Sequence, residues 1–369
     1  MSYEVKCTVC GKPTTNLLSY KCISCGNPLD IKIRKAFSRG EIHRKDYSAW
    51  RYIRFFPYVN ARDVVTLGEG WTPLVKVSGN LYFKLESLNP TGSFKDRGST
   101  VLVSAIHKEV KRLGGFIAED SSGNAGASIA AYAARAGLRA KIYVPEGVSG
   151  PKLNQIMFYG AEALKVPGAR SRVAEEAQKP EEGKVYVGHI LHPVFRDGIR
   201  SLAYEIVEQL GWEAPERIYL PVSAGTLLLG VLIGFKHLMD SGAIDEMPKI
   251  VACQTKQVSP LYHRFKGLPY CPPEKVVTVA DALVSTSPPL LEIMHQELKA
   301  AGGDAVMVEE DEIFKTFKEL AGIGFYVEPS SAVAYAAYQK QLRIGEATSG
   351  EKTVVVLTGT GLKTALKPS

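Results

Sequence analysis

The sequence contains no apolar run long enough to span a bilayer. Its first residues, Met1-Ser2-Tyr3-Glu4-Val5-Lys6, carry no apolar signal core, so a cytoplasmic location and no membrane partner are expected. There is no internal repeat. The 45 basic and 38 acidic residues leave a net charge of only +7, and the basic residues are spread out. That balance does not demand a nucleic-acid partner, and it also suits anionic substrates and cofactors. Histidines 43, 107, 189, 237, 263 and 295 show no metal-ligand spacing. The 369 residues, 45% of them apolar, suffice for two or three domains with sizeable cores.

Cysteine is scarce, and four of the six fall as Cys7-x-x-Cys10 and Cys22-x-x-Cys25, each pair followed by glycine. Two such knuckles supply the four soft donors of a tetrahedral zinc site in a ribbon over residues 1–35. An iron site, a metal-free ribbon and disulfides are the rival readings, disulfides being disfavoured in a cytoplasmic chain. Cys253 reads as core packing and Cys271, beside Pro272 and Pro273, as a loop residue.

A basic, aromatic linker, Arg34 to Tyr58, follows. Its Trp50, Tyr52, Phe55 and Phe56 are expected to pack on the main body. Beyond it, apolar strand runs alternate with helical periods. The strands are Leu81–Glu86, Phe116–Ala118, Ala140–Val144, Arg217–Leu220, Ile250–Gln254 and Thr353–Leu357. The helices include Ala127–Ala136, Leu227–Met239, Glu312–Ala321 and Ala332–Arg343, with Gly137 and Gly242 as stops. This alternation predicts an α/β fold of parallel sheets covered by helices, with ligands beyond the carboxyl ends of the strands. Lys179–Gly183 reads as a solvated turn and Ala365–Ser369 as a fraying tail.

Four segments sit where ligands are expected. Thr91-Gly92-Ser93-Phe94-Lys95-Asp96-Arg97-Gly98 places one lysine among small and polar residues before a helix. Such a lysine can serve as a Schiff-base nucleophile if its surroundings let it lose a proton. Ser121-Ser122-Gly123-Asn124-Ala125-Gly126 opens a helix, as does Ser223-Ala224-Gly225-Thr226-Leu227 after a strand. Thr358-Gly359-Thr360-Gly361 follows the last strand.

In this order the segments resemble the pyridoxal-phosphate enzymes of fold type II, and most closely the threonine synthase family. The resemblance runs over roughly residues 50–363. It includes Leu67-Gly68-Glu69-Gly70-Trp71-Thr72-Pro73-Leu74, similar to that family's Gly-Glu-Gly-x-Thr-Pro-Leu segment. It implies two open, mostly parallel sheets, as in tryptophan synthase beta. The implied domains are 36–96 with 191–369 for the cofactor and a small mobile domain, 97–190. It implies a homodimer. Lys95 would carry the cofactor and move protons at Cα and Cβ of the substrate. Asn124 would bond the phenolic oxygen, Ser223, Ala224, Gly225, Thr226 and Leu227 would cradle the phosphate, and Thr358 would meet the pyridine nitrogen. Asn124 also reads as a helix cap. Ser121, Ser122, Arg196 and Arg200 are the candidate substrate-binding residues, although the two arginines also read as surface charges.

The chain departs from the family's pattern in two places. Phe195 stands where the family places a phosphate-binding arginine after Pro193, with Arg196 one residue late; and Thr360 replaces a histidine. The implied reaction converts O-phosphohomoserine and water to threonine and phosphate. The rival enzyme reading is β-replacement or β-elimination on O-phosphoserine, serine or threonine. A nucleic-acid-binding protein on a retired enzyme scaffold is the remote alternative.

Overall fold

The computed structural model describes residues 2–168 and 170–364; the tail expected to fray lies outside them. In chain order the strands are β1 (Tyr3–Cys7), β2 (Pro13–Thr14), β3 (Leu29–Ile33), β4 (Leu74–Ser78), β5 (Leu81–Leu85), β6 (Phe116–Glu119), β7 (Ala140–Pro145), β8 (Glu162–Val166), β9 (Lys184–Tyr186), β10 (Arg217–Pro221), β11 (Lys249–Thr255), β12 (Asp304–Val308) and β13 (Thr353–Leu357). The helices are α1 (Lys95–Arg112), α2 (Asn124–Arg135), α3 (Pro151–Phe158), α4 (Arg170–Gln178), α5 (Pro193–Ile199), α6 (Ser201–Gln209), α7 (Thr226–Asp240), α8 (Pro260–Lys266), α9 (Leu291–Ala300), α10 (Glu310–Gly322) and α11 (Pro329–Arg343). Two compact units result. One gathers the chain up to Gly70 with Asn89–Ile199, the other Trp71–Leu88 with Arg200–Thr364.

The first unit opens with a small antiparallel sheet, order β2-β1-β3. Alternation at period two buries Val5, Cys7, Leu29 and Ile31 and leaves Lys6 and Lys32 outside. The linker aromatics Trp50, Tyr52, Phe55 and Phe56 are buried, as anticipated. The Trp50 indole N–H donates to Thr100 Oγ1 on α1 at 2.9 Å, and the Tyr58 hydroxyl donates to Asp197 on α5 at 2.5 Å. A parallel four-stranded sheet, order β8-β7-β6-β9, completes this unit. It falls inside the expected 97–190 segment. The unit is larger than that segment because the linker bonds α1 through Trp50, α5 packs on α1, and Arg196 of α5 bonds the ribbon.

The second unit is built on a six-stranded sheet, order β12-β11-β10-β13-β5-β4. Every pair is parallel except β4 with β5 at the edge. β13, Thr-Val-Val-Val-Leu, is buried along its whole length, as a strand covered on both faces must be. Cys253 is buried in β11, and Cys271 is exposed in a loop, both as read from the sequence. Three helices begin earlier than the apolar periodicity suggests. Pro329 occupies the first turn of α11, and Glu309 and Glu312 form a capping box on α10. Asn124 extends α2 back by three residues. Among the described residues no helix is long and apolar enough to cross a membrane.

Candidate active site

In the first unit, Lys95 is the first residue of α1 and is half-buried. Its Nζ lies 4.5 Å from the Phe94 ring centre and 5.9 Å from that of Phe195. The next residue fixes the turn. The Asp96 carboxylate is fully buried and accepts from the Thr91 N–H at 2.7 Å, the Thr91 hydroxyl at 2.5 Å and the Ser128 hydroxyl at 2.6 Å. One side chain thus joins the lysine turn to α2. Burial pushes the Asp96 carboxyl up to about 6; the three donors oppose the shift and Glu69 adds to it. Two residues before Lys95, the buried Ser93 hydroxyl has no hydrogen-bond partner among the described residues. A buried hydroxyl without a partner is costly, and an acceptor brought by a ligand would satisfy it.

The Ser121–Gly126 segment leaves β6 and turns into α2. Gly126 has to be glycine: a Cβ there would lie 1.8 Å from the Ser121 carbonyl oxygen. The close approach presses the first turn of α2 onto the strand end. Ser121 is buried, and Ser122 and Asn124 are half-buried. The helix cap is Gly123, without a side-chain cap bond, so Asn124 is not the capping residue that its position suggested. The loop is buttressed from β9, where the Tyr186 hydroxyl donates to Asp120 Oδ1 at 2.8 Å.

In the second unit, Ser223–Gly225 connect β10 to the fifteen-residue helix α7. Gly225 is left-handed, with φ of 98°, and a Cβ there would meet Met294 Sδ at 2.4 Å. The first N–H groups of such a helix have no intrahelical acceptor, and its dipole favours an anion. The Ser223 hydroxyl accepts from the Ser285 N–H at 3.3 Å. Leu227 points into the core, which leaves only its main chain for an anion.

Thr358 is buried beyond the end of β13. Its hydroxyl lies 2.9 Å from that of Ser331 on α11, and Ser331 accepts from the Gly359 N–H at 2.9 Å. Ser331 was missed by sequence reasoning. So was buried Glu328, whose carboxylate leaves no room for a Cβ at Gly359. The only available signal was the Glu-Pro-Ser-Ser helix start, which reads as ordinary capping chemistry.

The two arginines require correction. Neither is a surface charge: both are buried. Arg196 gives its guanidinium to main-chain carbonyls, donating to Ile190 at 3.1 Å, to Leu191 at 2.7 Å and to Leu29 of the ribbon. It serves as a tie between α5 and the ribbon rather than as an anion receptor. Arg200 belongs to the second unit, over the Tyr204 ring and 3.4 Å from His237 Nδ1. Phe195 is fully buried against Gly98 and offers no polar group.

The four ribbon cysteines converge, with all Sγ atoms within 4.8 Å of one another. Cys7 and Cys25 are 3.4 Å apart, Cys10 and Cys22 3.7 Å. A tetrahedron with metal–sulfur bonds of about 2.3 Å has edges of about 3.8 Å, so this donor set fits zinc. The Val9 and Ser24 N–H groups point at Cys7 and Cys22 sulfur, at 3.5 and 3.4 Å.

The chain is similar to known proteins over most of its length. The family profile described as "Pyridoxal-phosphate dependent enzyme" matches residues 65–359. The threonine synthase of Methanocaldococcus jannaschii is 33% identical over 97% of this chain and 92% of its own length. That of Methanosarcina acetivorans is 31% identical over 98% and 92%. Among solved structures, maize serine racemase superposes with a TM-score of 0.67 at 22% identity, covering 85% of this chain and 91% of its own, a likeness of fold. The chain belongs to the pyridoxal-phosphate dependent enzymes and, within them, to the threonine synthase family.

Proposed function

We propose that this enzyme is a lyase converting O-phosphohomoserine and water to threonine and phosphate. The observation that carries the reading is the Lys95 turn, a lysine opening a helix and held by a buried carboxylate, in a chain that threonine synthases match almost end to end. Bound pyridoxal phosphate supplies the electron sink for a carbanion at the substrate's Cα. Lys95 would hold the cofactor through its aldehyde carbon, and its amine would move protons at the substrate's Cα and Cβ. Asn124 donates to the phenolic oxygen. The main chain of Ser223–Leu227 and the Ser223 and Thr226 hydroxyls take the phosphate. Thr358 offers the pyridine nitrogen a neutral hydroxyl, which favours elimination and replacement over transamination. Ser121 and Ser122 bind the amino-acid substrate. Cys7, Cys10, Cys22 and Cys25 hold a structural zinc. The same reading makes the enzyme a cytoplasmic homodimer.

One observation favours a second reading. Phe195 is apolar, and the Arg196 guanidinium is spent on carbonyls. A substrate phosphate therefore lacks the family's arginine on this segment. β-Elimination or β-replacement on serine or threonine needs no such contact, and on O-phosphoserine the phosphate would have to be held by other groups. Phosphate release from O-phosphohomoserine and O-phosphoserine separates the two. No release from O-phosphohomoserine by the cofactor-loaded protein removes the first reading.

A further inference from the structure

The ribbon is joined to the loop that carries Ser121, Ser122 and Asn124. Tyr20 stands two residues before Cys22, on a strip that pairs back across the second knuckle: Lys21 bridges Pro28, and the Cys22 N–H donates to the Asn27 carbonyl at 2.8 Å. The Tyr20 ring meets Tyr186 edge to face, with centres 4.7 Å apart, and its hydroxyl donates to Gln178 Oε1 at 3.2 Å. Tyr186 in turn bonds Asp120, the residue before Ser121. Gly188 makes room for the Tyr186 ring: a Cβ there would lie 2.4 Å from it. A second tie runs from the Leu29 carbonyl to Arg196 on α5, which packs on α1. Apart from its cysteines, the three-stranded ribbon sheet buries little more than Val5, Leu29 and Ile31. So small an apolar core does not fix a fold without a staple.

We infer that the four-cysteine ribbon is a positioning element for the Ser121–Asn124 loop, so that zinc at Cys7, Cys10, Cys22 and Cys25 sets the order of that loop through Tyr20, Tyr186 and Asp120. The consequence for turnover rests on the proposed role of the loop in binding substrate and cofactor; the consequence for loop order does not. A ribbon with a purely local role would lose its own fold without zinc and leave residues 120–126 unchanged.

The test is hydrogen exchange by mass spectrometry on the full-length chain, read over residues 120–126, together with zinc content and kcat/KM. Removal of zinc by chelation is expected to speed exchange there about tenfold and to lower kcat/KM by a similar factor, the scale of a small misplacement of binding groups. Because chelation also unravels the ribbon, Tyr20→Ala and Tyr186→Phe are the controls. Both are expected to keep their zinc and to speed exchange over 120–126, Tyr186→Phe less because it keeps the ring contact. Zinc removal from Tyr20→Ala is expected to add little, since the two act through one path. The inference is overturned by unchanged exchange at 120–126 in the chelated chain and in Tyr20→Ala, or by failure of the chain to bind zinc when it is supplied; faster exchange with unchanged kcat/KM upholds it and removes instead the proposed role of the loop in binding substrate. If the wild type releases phosphate from neither phospho-amino acid, the proposed reaction fails, and the exchange measurement still decides the inference.

Discussion

The Lys95 turn and the Thr358 turn are held by opposite chemistry. The first rests on a buried carboxylate that accepts three hydrogen bonds, and the second on a pair of neutral hydroxyls. A charge in a low-dielectric setting is a strong acceptor, but it exists only over part of the pH range. A hydroxyl is weaker and does not titrate near neutrality. The segment proposed to place a reactive amine therefore carries a pH dependence, and the segment proposed to meet the pyridine nitrogen does not.

The comparison can be broken in several ways. The largest effect is expected from Lys95→Ala, which should lower turnover by roughly 10^4-fold and abolish the borohydride-fixed cofactor mass on that peptide. Residual turnover near wild type would remove the lysine from the chemistry. Asp96→Asn should cost about 10^2-fold in kcat, because an amide cannot accept all three donors and the turn shifts. The wild type should also show an acid limb in kcat near pH 6, absent from Asp96→Asn. Stability runs the other way. Burial raises the folded Asp96 above its ordinary 3.8 to about 6, so the folded chain binds the extra proton between those values. This group therefore favours the fold as pH falls through 6 and opposes it as pH rises. Activity should drop between pH 7 and 5 without a matching drop in Tm from Asp96; a parallel fall of both would assign the limb elsewhere. Thr358→Val should cost about tenfold, the worth of one hydrogen bond, with no change in the pH profile. A shifted limb in that variant would erase the contrast between the two turns. Ser331→Ala should be mildest, about threefold, since Thr358 keeps its own hydroxyl.

The lysine turn, the Asn124 loop, the Gly225 turn and the Thr358 turn were legible in the sequence because each joins a strand end to small residues at a turn or helix start. The parallel sheets were legible for a similar local reason, short apolar runs alternating with helical periods. What escaped notice is long-range. The fate of Arg196 is settled by a carbonyl 167 residues earlier. Ser128 looks like any small helix residue until Asp96 is placed beside it. Tyr20 sits in a stretch that reads as loop, and only the fold brings it onto Tyr186. The edge strand β4, Leu74–Ser78, has no fully buried residue, so no apolar run marked it out.

The string Ser-Ser-Gly-Asn-Ala-Gly holds two glycines of unequal meaning. At Gly126 any other residue would drive an atom into the Ser121 carbonyl, whereas at Gly123 the nearest obstacle to a Cβ is 3.8 Å away, with no left-handed backbone to forbid it. A saturation library over this motif, scored for folded protein, should return glycine alone at the second position and alanine or serine as well at the first. Protein packing alone thus dictates the residue at 126, whereas at 123 only what binds to the loop could do so.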